Sequence, residues 1–588
     1  MQNNQNLLLA VILSIGVLFG FHYLYDKPHV EALQQAQMQQ RMQAAAVPTA
    51  PASTAANNNM GAMPTPAESQ PVTQDRQALI AAGLAKGERI AIDTPRLQGS
   101  LNLRGSRLDD VALADYHVTP DLASPPVVLL SPANAAAPDY AYYAQFGWLA
   151  ADAAAKVPGP DTLWKADRKT LTKDQPVTLT WDNGAGLIFT RVLSVDDNFM
   201  FTVADSVANK TGQPVTLYPF GLISRHAVPP QKSAYLLHEG PLGVFNGTLS
   251  EVKYKTLKED GAFTKTTAAG GWLGLTDKYW LAALVPDQTQ PMTARITETD
   301  PASDMVQADE HGTPQVVAAG TSYTSTQRLF AGAKEVRLLE AYEQQLGVGK
   351  FDLAVDFGWF YFLTKPYFHA IDDIAHYFSD TGYGFACAII IFTVILKLAF
   401  MPLQAKSYRS MNRMKAVQPR MVELRERWAH DKQRLNMEMF ALYRQEKINP
   451  ASGCWPMLIQ IPVFFALYKV LYVTIEMRHA PFPGWIRDLS APDPTSVFNL
   501  FGLIPWEPPH MLMIGVWPIL MGVTMALQQR LNPPPADPVQ QVMFRWLPVF
   551  FTVLMAQFPA GLVIYWTWSN LFGIGQQLWL RRDKKKPA

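Results

Sequence analysis

The stretch Tyr383–Leu403, YGFACAIIIFTVILKLAFMPL, decides what kind of chain this is. An apolar helix of about 20 residues spans the ~30 Å hydrocarbon core of a bilayer. Its one charge, Lys397, lies about two-thirds of the way along. A charge at the centre of such a helix costs roughly 2.5–3.5 kcal/mol on insertion scales. Thr393 sits one turn earlier on the same face. Two readings of Lys397 stand side by side. It snorkels to the membrane surface, because the stretch ends a few residues later. Alternatively, it is the fixed positive charge of a water-filled cavity.

Four further apolar runs lie downstream: Trp455–Ile475, about Met511–Leu527, Phe544–Phe558 and Gly561–Leu580. One lies far upstream, Leu7–Tyr25. It lacks a basic leader, and bulky Phe21, Tyr23 and Leu24 occupy the place of a small-residue cleavage site, so an uncleaved anchor is expected over residues 1–25. Together these make six spans, with core spans at about 383–403, 455–475, 511–529, 543–558 and 561–580.

Between the first two core spans lies a charged segment, 404–452. It carries eleven Lys and Arg residues, among them Arg413, Lys415, Arg420 and Arg427, against five acids. Met411, Met414, Gln418, Met421, Leu424 and Trp428 recur at three and four, and Leu435, Met439 and Leu442 repeat the pattern after a break at Ala429–Asp431. Two antiparallel helices are predicted. The tail 581–588 is also basic, with Arg581, Arg582, Lys584, Lys585 and Lys586, whereas Glu476–His510 carries only Arg478 and Arg487 as Lys or Arg. Basic loops stay in the cytoplasm. Both termini and the charged hairpin are therefore expected there, and residues 26–380 on the far side.

Residues 26–77 are rich in Gln, Ala, Pro and Asn, with almost no aromatics, and read as a flexible tether. From about 78 to 347 the period becomes two. Val177, Leu179 and Trp181 alternate with threonines, and Asp182-Asn183-Gly184 supplies a hairpin turn before Leu187–Val195. Phe199–Val207, Val215–Ile223 and Trp272–Val285 read as strands too. A large all-β sandwich is expected. Its histidines, including the His238-Glu239 pair, suggest a sugar-active site, although scattered histidines on a β domain are more often turn or surface residues.

Residues 348–380 read as an amphipathic helix lying in the membrane interface. Its stripe is Phe357, Phe360, Phe368, Ile371, Ile374 and Phe378. His369, Asp372 and His376 share a face at metal-ligand spacing, but an interfacial helix explains them with fewer assumptions, and no metal is expected. The two cysteines, Cys387 and Cys454, have no CxxC partner. The chain of 588 residues has a net charge of +1, which points to no DNA partner, and no nucleotide-binding GxxxxGK[ST] motif occurs.

The run EKINPASGCWPMLIQIPVFFALYKVLY (Glu446–Tyr472), with WIRDLSAPDP, PILMGVTMALQQR and FPAGLVIYWTWSNLFGIGQQ further on, resembles the YidC/Oxa/Alb membrane-protein insertases. The YidC branch of Gram-negative bacteria is most similar, over essentially the whole chain. The resemblance implies a polytopic inner-membrane protein: a five-helix insertase core, an N-terminal anchor, a periplasmic β-supersandwich and a cytoplasmic helical hairpin. It implies an insertase and chaperone for membrane proteins, acting alone or beside the Sec translocon, with no enzymatic activity and no cofactor. Implied partners are nascent membrane-protein clients, the ribosome, the Sec translocon with its accessory subunits, a targeting receptor and membrane lipids.

It further implies a hydrophilic groove whose positive residue matches Lys397, with Thr393, Gln529 or its neighbour Gln528, Tyr565 and Trp566 at groove positions. Arg413, Lys415, Arg420, Arg427, Arg581 and Arg582 would dock the ribosome or receptor. The family pattern usually has arginine where this chain has Lys397; lysine keeps the charge and loses the planar fork that grips a carboxylate at two points. Val497–His510 is a second departure, an extra segment to which the resemblance assigns no role. Against a transporter or channel stand the lack of paired intramembrane charges and of internal repeats. A carbohydrate-processing enzyme would need clustered carboxylates and histidines in one cleft of the β domain.

Overall fold

The computed structural model describes residues 75–133, 135–226, 237–300, 305–446, 455–506, 508–509, 512–532 and 538–582. The expected anchor and most of the expected tether lie outside these residues. The described chain opens on helix α1 (Arg76–Ala85) rather than on a strand, with Asp75 accepting from the Ala78 amide at 3.2 Å as its N-cap. Strands begin at Arg89.

Alternation then builds a two-sheet sandwich. In Leu187–Val195 every second residue is buried, as expected of a strand with one face in a core. The Asp182-Asn183-Gly184 turn forms because Gly184 takes φ of 73° and Asp182 Oδ1 accepts from its amide at 2.8 Å. Met200–Asn209 lies between Leu187–Val195 and Ser322–Ala333, antiparallel to both. Among the described residues one sheet has eleven strands and the other nine. Trp272–Val285, expected as one strand, is two: Trp272–Thr276 and Trp280–Val285 pair antiparallel, with the chain reversing at Asp277–Tyr279. Thr276-Asp277-Lys278 is the polar interruption that marks this turn, with neither Gly, Pro nor Asn in it. A further helix, α2 (Tyr254–Asp260), lies within the sandwich sequence.

Two buried arginines of this sandwich are paired with carboxylates. Arg191 and Asp205 face each other in register, and the guanidinium grips the carboxylate with two bonds of 2.6 and 2.7 Å. The same guanidinium donates to Phe146 O at 2.8 Å in the opposite sheet and lies over the Trp164 ring. Arg89 pairs likewise with Asp109 and donates to Ser100 Oγ.

The chain leaves the sandwich through α3 (Val336–Leu346) and α4 (Tyr361–Tyr377). The helical region then contains α5 (Gly384–Arg427), α6 (Lys432–Gln445), α7 (Trp455–Val473), α8 (Val516–Leu531), α9 (Pro538–Met555) and α10 (Ala560–Arg582). Helix α5 runs unbroken for 44 residues through Pro402 and Pro419, so the Lys397 stretch and the first arm of the charged hairpin are one helix. The arm turns at 428–431. There Asp431 caps α6 by accepting from the Arg434 amide at 3.0 Å, and the Arg434 guanidinium covers Trp428. Val417, Met421 and Leu442 are the buried apolar contacts of the hairpin.

Part of the expected interfacial stripe is taken up by protein contacts. Phe357, Phe368 and Ile371 are buried in protein, because α4 packs against α5 and α7; Tyr367 meets Phe392 of α5 at 5.0 Å. The apolar side chains that stay exposed are Trp359, Phe362 and Tyr377. The polar side of α4 is also occupied by protein: His369 Nε2 lies 3.0 Å from Glu340 Oε1, Asp372 and Asp373 pair with Arg337, and His376 Nδ1 meets Asp372 O at 2.9 Å.

The sandwich and the segment leaving it are tied to the helices by part-buried polar contacts. Lys469 of α7 holds Asp356 at 2.8 Å. Arg478 donates to His117 O at 2.6 Å. Lys278 Nζ lies 3.8 Å above the Tyr472 ring. Glu476 Oε1 accepts from the Val336 amide, at the start of α3, at 3.0 Å. Burial, reinforced by the carboxylates of Asp372 and Glu335, pushes the Glu476 carboxyl up to about 8.

Candidate functional site

Lys397 lies on α5, half-buried between the exposed Ile395 and Leu398. Among the described residues it takes part in no hydrogen bond or ion pair. Thr393, one turn earlier, is fully buried, and its hydroxyl donates to Ile389 O of its own helix at 2.6 Å. A threonine bonded back in this way meets its own need locally and offers its remaining lone pair to the surroundings.

The face opposite α5 is α10, which packs against α5, α7 and α8. Tyr565 is buried there and accepts from Gln460 Nε2 of α7 at 3.1 Å. Trp566, half-buried, sits edge-on between Phe464 at 5.0 Å and Phe551 at 5.2 Å. Gln528 lies on Gly573: a Cβ at that glycine would meet Gln528 Nε2 at 2.6 Å. Gln529 is half-buried, and its carbonyl accepts from the Asn532 amide at 3.0 Å. The expected residues thus divide. Lys397 and Thr393 belong to α5, Tyr565 and Trp566 to the contacts of α10 with α7 and α9, and the two glutamines to the end of α8.

Sequence reading missed several polar side chains in the same helices. Asn570 Nδ2 donates to Thr524 Oγ1 at 3.2 Å between α10 and α8, and Gln577 Nε2 donates to Asn532 Oδ1 at 3.2 Å. Gln576 is buried with neither end of its amide partnered among the described residues. Helical spacing could have found them: Asn570, Gly573 and Gln577 share one face of α10, while Tyr565, Ser569 and Gln576 share another. Polar side chains and close small-residue contacts of this kind join helices where no water is available. At Gly522 of α8 a Cβ would lie 2.0 Å from Thr552 Oγ1 of α9.

On the hairpin, Arg413 and Arg427 are exposed, whereas Arg420 pairs with Glu446 at 2.6 Å across the two arms. The side chains of Lys415, Arg581 and Arg582 lie outside the described ones.

The WIRDLSAPDP stretch closes the other end of the bundle. Asp493 accepts from the amides of Thr495 and Trp517 and from Trp485 Nε1, at 2.9 to 3.0 Å, and so caps α8. The carbonyls of Ala491 and Leu489 accept from Ala560 and Gly561 at 2.7 and 2.9 Å, taking up free amides at the start of α10.

Residues 89–370 match the family model for the YidC periplasmic domain, and residues 376–587 match that for the 60Kd inner membrane protein. The chain is 50% identical over 603 residues to the membrane protein insertase YidC of Methylobacterium sp. (strain 4-46), covering 99% of this chain and 95% of that one. The chain belongs to the YidC family of membrane-protein insertases. Its YidC relative from Granulibacter bethesdensis is 46% identical over 598 residues, covering 100% of this chain and 99% of the relative. A crystal structure of an active YidC insertase with its first transmembrane domain resolved aligns with 83% of this chain and 92% of its own at 14% identity, with a TM-score of 0.33. The sandwich is the periplasmic domain of this YidC-family chain, and the helices from α5 onward lie in the part that matches the 60Kd inner membrane protein.

Proposed function

We propose that this protein inserts and folds integral membrane proteins in the bacterial inner membrane, with Lys397 as the charge that receives acidic client segments. The observation that carries this reading is Lys397 itself. It stands inside Gly384–Ser407, the one described helix long and apolar enough to cross a bilayer, without a counter-charge among the described residues. A cation kept at that expense, with no internal partner, is available to a visiting carboxylate. Thr393, Gln528, Gln529, Tyr565 and Trp566 complete the polar path, and Gln576 adds an unused amide.

The neighbouring helices shorten that path. The apolar parts of α7 and α9, Gln460–Val473 and Gln541–Met555, extend about 21 and 22 Å at 1.5 Å per residue, against ~30 Å of hydrocarbon. Short helices thin the bilayer around them. A client's polar tail then crosses a reduced barrier, while its apolar helix leaves sideways into lipid, and that burial supplies the free energy. The chain crosses the membrane six times in this reading, with both termini and the hairpin in the cytoplasm. The hairpin, together with Arg581 and Arg582, docks the ribosome or a targeting receptor, and the Sec translocon is a co-worker.

The test is insertion of paired clients into vesicles containing Lys397 variants. Lys397→Arg retains activity, while Lys397→Ala and Lys397→Glu lose it for clients with acidic translocated tails and lose less for uncharged ones. Normal insertion of both client types by Lys397→Ala would leave snorkelling as the role of Lys397. For the hairpin, joint reversal of Arg413, Lys415, Arg420 and Arg427 weakens ribosome binding. Unchanged binding would assign those charges elsewhere.

A further inference from the structure

The segment between Asp493 and α8 has a structure that the insertion mechanism does not use. Residues 495–506, TSVFNLFGLIPW, contain no charged side chain. Phe498, Leu500, Phe501, Leu503, Ile504 and Trp506 are all exposed, Leu503 at 83%. Six large apolar side chains in nine residues are a patch rather than the scattered exposure normal on a surface. The loop is compact nonetheless. Val497 N donates to Ile514 O at 3.0 Å, Phe501 N to Ser496 O at 2.8 Å and Ile504 N to Asn499 O at 3.0 Å, and Ser496 Oγ donates to Leu512 O at 3.0 Å. Leu500 and Phe501 both hold left-handed φ, 49° and 59°. Two adjacent non-glycine residues adopt that region only when their surroundings impose it. The backbone is therefore knotted so that its amides are satisfied inward and its apolar side chains turn outward.

We infer that this knob is inserted into the periplasmic leaflet and sets the depth of the bundle in the membrane. Its neck places it there. Val497 is bonded to Ile514, two residues before α8 begins at Val516. Asp493 binds that neck to α8, and Leu489 and Ala491 bind the same loop to the start of α10. These bonds hold the base of the knob at the level of the helix ends. At that level its neighbours are headgroups and the upper acyl chains, where tryptophan and large apolar side chains partition and where its lack of charge removes the penalty for entry. Lipid is thus the occupant; a client segment or a second copy of this chain is a rival that the test resolves. The inference rests on α8 crossing the membrane as proposed above.

The test uses the full chain with Cys387→Ser and Cys454→Ser, one nitroxide at position 503, and reconstitution in liposomes. Power saturation with oxygen, which concentrates in lipid, and a water-soluble nickel chelate reports the surroundings of the label. Labels at Val523, exposed on α8, and at Leu122, exposed on the sandwich, serve as lipid and water references. The expected result is an oxygen-to-nickel accessibility ratio at 503 several-fold above that at 122 and between those at 122 and 523. A ratio at 503 equal to that at 122, with 523 in lipid, overturns the inference and leaves the span intact. Shielding of 503 from both reagents also overturns it, in favour of a protein contact. Water access at both 503 and 523 overturns the span and the inference together.

Discussion

The sandwich and the membrane helices treat a buried charge in opposite ways. In the sandwich, Arg191 is answered by Asp205 with two hydrogen bonds, by a carbonyl of the facing sheet and by an indole ring. In α5, Lys397 has none of these among the described residues. An internal partner makes a charge structural, because removing either member strands the other. The absence of a partner leaves the charge free to act on something that arrives. In the function proposed above, the difference separates residues that keep the fold from a residue kept for a client.

The sharpest way to break this comparison is to strand a sandwich charge. Asp205→Ala leaves Arg191 buried and unpaired, and a loss of about 3–5 kcal/mol is expected, read as a fall in the unfolding midpoint of the purified protein. A loss below about 1 kcal/mol would show that Arg191 finds water and that its pairing is incidental. Lys397→Leu should do the reverse. Stability in detergent or lipid is expected to hold or rise, by up to about 2.5 kcal/mol, while insertion of acidic-tailed clients falls. Destabilisation by Lys397→Leu would make Lys397 as structural as Arg191.

A third probe lies between these extremes. Glu310 is buried in the sandwich; Gln327 Nε2 donates to its Oε1, while Oε2 has no partner among the described residues. Burial, with Asp309 adjoining, raises its carboxyl from 4.5 to about 8. The folded state therefore holds a proton that the unfolded chain has released. Its contribution to stability is complete below about 4.5 and is lost as pH rises through about 8. Glu310→Gln, neutral at every pH, should flatten that slope. Little change is expected near pH 4.5, with a gain that grows as pH rises towards 8, read as a rise in the unfolding midpoint of the variant over the parent. Parallel pH profiles for the two proteins would show that the carboxyl is ionised when folded. The smallest effect is expected at the hairpin. Arg420→Ala removes an exposed ion pair and should cost less than about 1 kcal/mol, seen as faster hydrogen exchange near Glu446.

Legibility in the sequence followed the range of the interactions. The Asp182-Asn183-Gly184 hairpin was plain because its turn is made by its own side chains. Lys397 was plain because one charge in an apolar run needs no partner to be noticed. The Trp272–Val285 reversal is harder to read, because both strands are buried on both faces and show no alternation, and only the short Thr276-Asp277-Lys278 interruption marks the turn. The stripe around α4 is plain as apolar, but what covers it is not: nothing local shows that Phe368 and Ile371 pack against protein while Phe362 and Tyr377 stay exposed. Thr524 with Asn570, 46 residues apart, is a pairing that only the packed bundle defines. The polar spacing along α10 was visible, but its direction was not.

The unbroken course of α5 has a mechanical consequence. From Lys397 to Arg427 the helix rises 30 residues, about 45 Å, so the proposed groove and the hairpin tip are ends of one lever. Pro402 lies five residues beyond Lys397, where a missing backbone hydrogen bond lowers the stiffness of the rod. A pivot of about 10° there carries the tip, some 25 residues or about 38 Å further on, sideways by roughly 7 Å, while Lys397 barely moves. Anything that grips the tip therefore has a large stroke available at little disturbance to the groove, and a tilt that begins at the groove is magnified at the tip.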